Sequence, residues 1–125
     1  MNLDTFLAAY IESALWSSYD DDSNPLEDNF SHDDIAPETL AGMREDCEKF
    51  IADNAEDLRA YAEQIPYGDW TAEDLAGHDF WLTRNHHGSG FWDLGLGDLG
   101  DRLTEAAHAF PQCDLYAGDD GRIYA

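Results

Sequence analysis

Twenty-eight Asp and Glu residues against six Lys and Arg give this 125-residue chain a formal charge of −22. That excess is the tightest constraint on its fold, because an unpaired carboxylate cannot be buried without a large penalty. The acids must therefore line outer faces, opposite narrow apolar stripes. The chain nonetheless has material for a core, being 43% hydrophobic with sixteen aromatic residues. Acidic disordered chains lack such residues, and the length suits one domain.

The charge also sorts function classes. Nucleic-acid phosphates and anionic membrane leaflets both repel a surface of this sign, so direct binding to either is disfavoured. Cationic partners fit: the DNA- or RNA-binding faces of other proteins, other basic proteins, or salt water in a halophile. The basic set includes a single lysine, Lys49. No apolar run approaches the roughly 20 residues of a membrane span. The first sixteen residues carry Asp4 and Glu12 and no basic residue, unlike a signal peptide. Cys47 and Cys113 are too few and too distant for a disulfide framework, and a reducing cytoplasm fits them.

Apolar periodicity predicts the elements. Leu3, Phe6, Leu7, Tyr10, Ile11, Ala14 and Leu15 recur at helical spacing, predicting a helix over 3–18 capped by Asn2 or Asp4. Residues 19–37 are acidic and turn-rich, with Leu26, Phe30 and Ile35 expected to pin the loop to the body. Pro37 opens a second helical stretch running to about Gln64, before Pro66, as one long helix or as two broken near Asn54. Thr71 and Asp74 resemble a capping box, opening a short helix expected to stop at Gly77. Phe80 to Thr83 suit a strand, Asn85 to Gly90 a turn, and Phe91-Trp92 a second strand. Trp81 and Trp92 would then pack across the sheet. A helix over 98–110 follows. Gly118-Asp119-Asp120-Gly121 marks a hairpin between 114–117 and 122–124. The expected class is α+β in a single domain over 1–125. It has a helical, acidic N-terminal two-thirds (about 1–76), then a C-terminal third (about 77–125). There, residues 79–84, 114–117 and 122–124 form one antiparallel sheet with one helix packed on it.

Three segments together carry a resemblance: Tyr10 to Trp16; Asp34 to Leu40 with Met43 to Cys47; and Gly77 to Asn85 with Gly88 to Asp93. The closing Leu115 to Tyr124 belongs to the same pattern. Over nearly its whole length the chain resembles a widespread family of small acidic proteins encoded by bacteriophages and prophages. That family has no assigned activity, so the resemblance implies a phage context and no site residues. In the family pattern Gly often stands at position 86 and Arg at 94, where this chain has His86 and Leu94.

The acids are skewed. Residues 1–76 hold 20 acids and 3 bases, and residues 77–125 hold 8 and 3. The candidate acidic face comprises two sets. One is the loop residues Asp20, Asp21, Asp22, Glu27, Asp28, Asp33 and Asp34. The other is the helical residues Glu38, Glu45, Asp46, Asp53, Glu56, Asp57 and Glu63. Helical steps of three, four and seven place carboxylates roughly 5, 6 and 10 Å apart along an axis. Phosphates along one DNA strand recur on that scale, for a rise of about 3.4 Å per nucleotide. A helix so decorated offers a basic groove what a DNA strand offers it. The plainer reading is a solvated face serving only solubility. Halophile adaptation is a third, though it would spread the acids evenly. Self-repulsion at −22 costs stability, which favours a use for the field.

Catalytic and metal patterns are sparse. His78, His86, His87 and His108, with Asp79, Asp93 and Cys113, could in principle supply metal ligands, but no zinc spacing joins them. Asp20 to Asp22 and Asp119-Asp120 lack calcium-loop spacing. Arg84, Asn85, His86 and His87 beside Asp93 make the most catalytic-looking cluster, with Arg84 paired to a carboxylate as the structural alternative. Gly88-Ser89-Gly90 is neither a phosphate loop nor a nucleophile elbow. The expected function is therefore non-enzymatic and cofactor-free. It is a DNA-mimicking phage protein that binds a basic, nucleic-acid-binding host defence protein in the host cytoplasm, as an anti-CRISPR or anti-restriction inhibitor. The alternatives are a phage accessory or structural protein, or a small enzyme or metal protein using the Arg84–Asp93 loop.

Overall fold

The structure, a computed structural model, describes residues 1–65 and 68–125. The N-terminal stripe forms helix α1, Leu3–Ser17, started by Asn2, whose side-chain oxygen accepts from the Thr5 amide at 3.0 Å. The acidic stretch that follows holds two 3₁₀ turns, Leu26–Asp28 and His32–Asp34. Leu26 and Ile35 are buried and Phe30 packs against the core, as expected of residues pinning that loop.

The second helical stretch is two helices, α2 over Pro37–Asp53 and α3 over Ala55–Gln64. The break falls at Asn54, whose side-chain amide folds back to donate to the Phe50 carbonyl at 2.9 Å. Asn side chains compete for backbone carbonyls in this way, which is why they interrupt helices. Pro66, the expected stop of this stretch, lies outside the described residues.

The segment from Thr71 to Arg84 departs most from the sequence expectation. Thr71 and Asp74 do form a reciprocal capping box, with amide contacts of 3.0 and 3.1 Å. The helix they open, α4, runs over Ala72–Arg84 and passes straight through Gly77. Phe80 to Thr83 are thus helical, and no strand exists over 79–84. The expected three-stranded sheet is overturned, and the boundary at residue 77 falls inside a helix. The physical reason is burial on several sides. α4 lies against α1, α3 and α5 (Asp98–His108), and Phe80, Trp81, Leu82 and Thr83 are all buried. A helix covered all round carries a continuous apolar run, which looks like a buried strand.

Gly77 is the contact point of α1 and α4 rather than a helix stop. A Cβ there would overlap the Phe6 carbonyl oxygen and crowd the Tyr10 amide at 3.1 Å. Gly77→Ala should therefore force the two central helices apart and destabilise the protein by about 2–3 kcal/mol. Urea unfolding checks this, and a loss below about 0.5 kcal/mol would refute the tight crossing.

The second expected strand, Phe91-Trp92, is a 3₁₀ turn over Phe91–Asp93. Phe91 enters the core, stacking on Phe50 at 5.8 Å and meeting Tyr61 edge-on at 5.5 Å. Trp92 stands half exposed, so it does not pair with Trp81, whose indole donates instead to Ser17 at 2.7 Å. The Gly118–Gly121 hairpin is present. It joins β1, Tyr116–Ala117, to β2, Ile123–Tyr124, with Tyr116 opposite Tyr124. Ile35 pairs with Ile123 where a third strand was expected. The α5 helix packs mainly on α3, α4 and the 91–93 turn rather than on the sheet. The architecture is α+β, dominated by helices around an aromatic core centred on the Phe50–Phe80 stack at 4.1 Å.

Candidate functional site

The predicted acidic face lies at the surface in two pieces. In the loop, Asp21, Asp22, Glu27, Asp28 and Asp33 are exposed, while Asp20 and Asp34 are half-buried because they hold the loop together. Asp20 accepts from the amides of Asp22 and Asn24, each at 2.9 Å, and Asp34 accepts from the Ser31 amide at 2.8 Å. On the helices, Glu38, Glu45, Asp53, Glu56 and Glu63 are exposed, and Asp46 and Asp57 are half-buried. The break at Asn54 divides this row, so the regular carboxylate spacing holds within α2 and within α3 but not across them.

Three of the fourteen predicted residues are ion-paired. Asp53 pairs with Lys49 at 2.7 Å, Asp57 with Arg102 at 3.0 Å and Asp46 with Arg84 at 2.7 Å. Asp4 pairs with Arg44 at 3.0 Å. Among the described residues these are the four ion pairs, so most of the 28 carboxylates have no ion-pair partner. Glu48 was missing from the predicted face. It is exposed on α2 and no ion pair engages it.

The catalytic-looking cluster is dispersed. Arg84 points inward and is almost fully buried. Its Nη1 donates to Asp46 at 2.7 Å and to the Tyr10 hydroxyl at 3.0 Å, and its Nε donates to the Pro111 carbonyl at 2.8 Å. The guanidinium also lies 5.4 Å from the Phe110 ring centre. Asn85 caps α4, donating to the Trp81 carbonyl and accepting from the Cys113 amide. His86 takes the left-handed conformation, φ 58°, just beyond α4 and stacks on His108 at 4.1 Å. Glycine takes that conformation without strain, so His86 stands where a glycine would fit more easily. Asp93 is exposed, and the ion-pair partner of Arg84 is Asp46 instead. Among the described residues no three His, Cys, Asp or Glu side chains converge as metal ligands do. Both cysteines are free thiols, and burial pushes their pKa values up, which suppresses thiolate chemistry.

Arg84 also faces a cavity of about 410 Å³ between α2, α4 and the C-terminal segment. Its inner wall combines apolar Met43, Trp81 and Leu115, all buried, with Tyr10 and the Arg84–Asp46 pair, and Glu38 and Glu45 stand at its exposed edge. Gly42, on α2, opens onto it. The sequence signal was a glycine inside a helical stripe, which marks a packing or functional need.

Asp79 is a half-buried carboxylate in contact with the core. The Tyr61 hydroxyl donates to its carboxylate at 2.7 Å. Burial pushes the Asp79 pKa up to about 6, against the lowering effect of that hydrogen bond, with Asp93 adding to the rise. A carboxyl whose folded pKa lies above its unfolded value favours the fold at low pH. Its contribution is full below about pH 4 and is lost as pH rises through about 6. Asp79→Asn keeps an acceptor for Tyr61 and removes the charge. It should raise stability at pH 7.5 by on the order of 2 kcal/mol and do little at pH 4. Thermal unfolding of both proteins at the two pH values checks this. A gain of equal size at both would refute the assignment.

Large aromatic side chains stand among the acids. Trp16, Tyr19, Trp70, Trp92 and Tyr116 are each at least half exposed, and Leu94 is exposed beside Trp92. Among the described residues no helix is long and apolar enough to cross a membrane. No family model, curated protein or solved structure matches the chain.

Proposed function

We propose that this chain is a non-enzymatic, DNA-mimicking phage protein that binds and inhibits a basic nucleic-acid-handling protein of the host. An anti-CRISPR or anti-restriction inhibitor acting in the host cytoplasm is the concrete form. The observation that carries the reading is the large set of surface carboxylates left without ion pairs, which includes Glu38, Glu45, Glu48, Glu56 and Glu63 along α2 and α3. Fixed on helices, they present negative charge without the entropy loss of ordering a flexible tail. A channel built to attract phosphate is steered towards such a surface.

The exposed aromatics argue against acidity serving only solubility. A surface under selection for solubility alone has no use for Trp16, Trp70 and Trp92, whereas Trp and Tyr are the residues that anchor protein interfaces. The Arg84–Asp93 loop offers little to the enzyme alternative, since its arginine is spent on core contacts.

The test is phage restriction. Expressed in cells that carry a CRISPR or restriction system, the protein should restore plating of a phage which that system blocks. Unchanged plating across such systems would remove the inhibitor reading and leave the accessory-protein alternative.

A further inference from the structure

Gly42 is a glycine without a structural reason. It lies in the interior of α2 with helical neighbours on both sides, where glycine is less stable than alanine. Nothing lies within 4 Å of the place its Cβ would occupy, so no close packing demands it. Gly77, in contrast, is fixed by the Phe6 backbone. What Gly42 does is leave the cavity beside it open.

That cavity has the size of a ligand cleft, typically about 300–1,000 Å³, and its chemistry selects one kind of occupant. Met43, Trp81 and Leu115 suit an aliphatic stem. The charge of Arg84 is already countered by Asp46 at 2.7 Å. Glu38 and Glu45 have no ion-pair partner among the described residues, and they stand seven residues apart on the same helix, about 10 Å along its axis. An anion approaching Arg84 would have to pass both glutamates and the field of a chain carrying −22. A cationic head kept at the outer edge meets Glu38 and Glu45, while the one cation in the lining, Arg84, lies deeper and is countered by Asp46.

We propose that the cavity beside Gly42 is a socket for one basic side chain, arginine or lysine, of the partner protein. The aliphatic stem lies along Met43 and Leu115, and the charged head is held by Glu38 and Glu45. The proposal rests on the reading of this protein as a ligand for a basic partner. It adds a shaped contact selective for a basic side chain to an interaction otherwise carried by surface charge and the exposed aromatics, since rim ion pairs by themselves discriminate weakly.

The probe is N-acetyl-L-arginine amide, titrated into isotope-labelled protein and followed by NMR. N-acetyl-L-norleucine amide serves as the uncharged control and acetate as the anionic one. The arginine probe should shift the amides of Thr39, Gly42 and Glu45 and the Arg84 Nε–H. The two controls should not. Gly42→Leu should fill the space, weaken the probe at least tenfold, and leave urea stability equal or higher, because leucine replaces a helical glycine. Glu38→Gln and Glu45→Gln, both at the surface, should each weaken the probe roughly twofold to fivefold. Shifts scattered over the acidic surface, unaltered affinity in Gly42→Leu, or equal binding of acetate would overturn the socket. So would a loss of stability in Gly42→Leu, which would show that the space is needed for packing. These outcomes need no partner, so they are separate from the fate of the mimic reading. A partner that still binds Gly42→Leu fully but is lost on reversing Glu48, Glu56 and Glu63 would remove the socket and keep the mimic.

Discussion

Replacing Arg84 with alanine should lower the unfolding free energy by about 3 kcal/mol, roughly 10 °C in melting temperature for a chain of this size. The guanidinium is the one buried cation among the described residues, and it joins parts of the fold far apart in sequence. From the end of α4 it reaches Tyr10 on α1, Asp46 on α2 and the carbonyl of Pro111, and it lies over Phe110. Truncation strands a buried hydroxyl and a carbonyl and leaves a void beside Phe110. Asp46 is partly open to water, so its own penalty is reduced, and this keeps the figure at the low end for a broken buried pair. Arg84→Met, which keeps much of the volume, should recover part of the loss. In a double-mutant cycle with Asp46→Asn, the coupling should exceed about 1 kcal/mol. Urea unfolding measures all three. Arg84→Ala within 0.5 kcal/mol of the parent would mean that the network is incidental and that the residue is free for other chemistry.

That network also marks where sequence reading runs out. Stripes with one exposed face were legible: α1, α2, α3 and α5 all alternate buried and exposed residues at helical spacing, and the acids follow from them. Local turn chemistry was legible too, in the Asn2 cap, the Thr71–Asp74 box and the Gly118–Gly121 hairpin. The α4 helix was not, because its periodicity disappears once α1, α3 and α5 cover it, and its β-prone Phe80-Trp81-Leu82-Thr83 then reads as a strand. Arg84 was placed among its sequence neighbours His86, His87 and Asp93, whereas its true partners are 74, 38 and 27 residues away. Pairings of that range depend on how helices cross, and one glycine, Gly77, decides the central crossing. The candidate site shows the same division. Exposure of the acids was predictable from helix faces. Which of them are already held by Arg84, Lys49 and Arg102 was not.

The division matters for the largest effect expected on function. Reversing Glu27, Glu48, Glu56 and Glu63 together to lysine should weaken partner binding by about 3–4 kcal/mol, a few hundredfold. All four are exposed, none is ion-paired among the described residues, and none lines the Gly42 cavity. Asp46, Asp53 and Asp57 are left out because Arg84, Lys49 and Arg102 already hold them, so reversing those would unfold contacts as well as remove charge. Single exposed pairs contribute under about 1 kcal/mol, and Glu48→Gln alone should change affinity less than about fivefold. Each reversal adds two charges, taking −22 to −14. The quadruple variant should therefore be at least as stable as the parent, since self-repulsion falls. A loss of binding without a loss of stability separates the surface from the fold. Parent affinity should drop steeply between 0.1 and 1 M salt, as the Debye length shrinks from about 10 Å to about 3 Å. Duplex DNA should compete for the same basic surface on the partner. A partner held equally well at 1 M salt, or holding this protein and DNA at once, would be recognising shape rather than mimicked phosphate, and the acidity would then serve solubility.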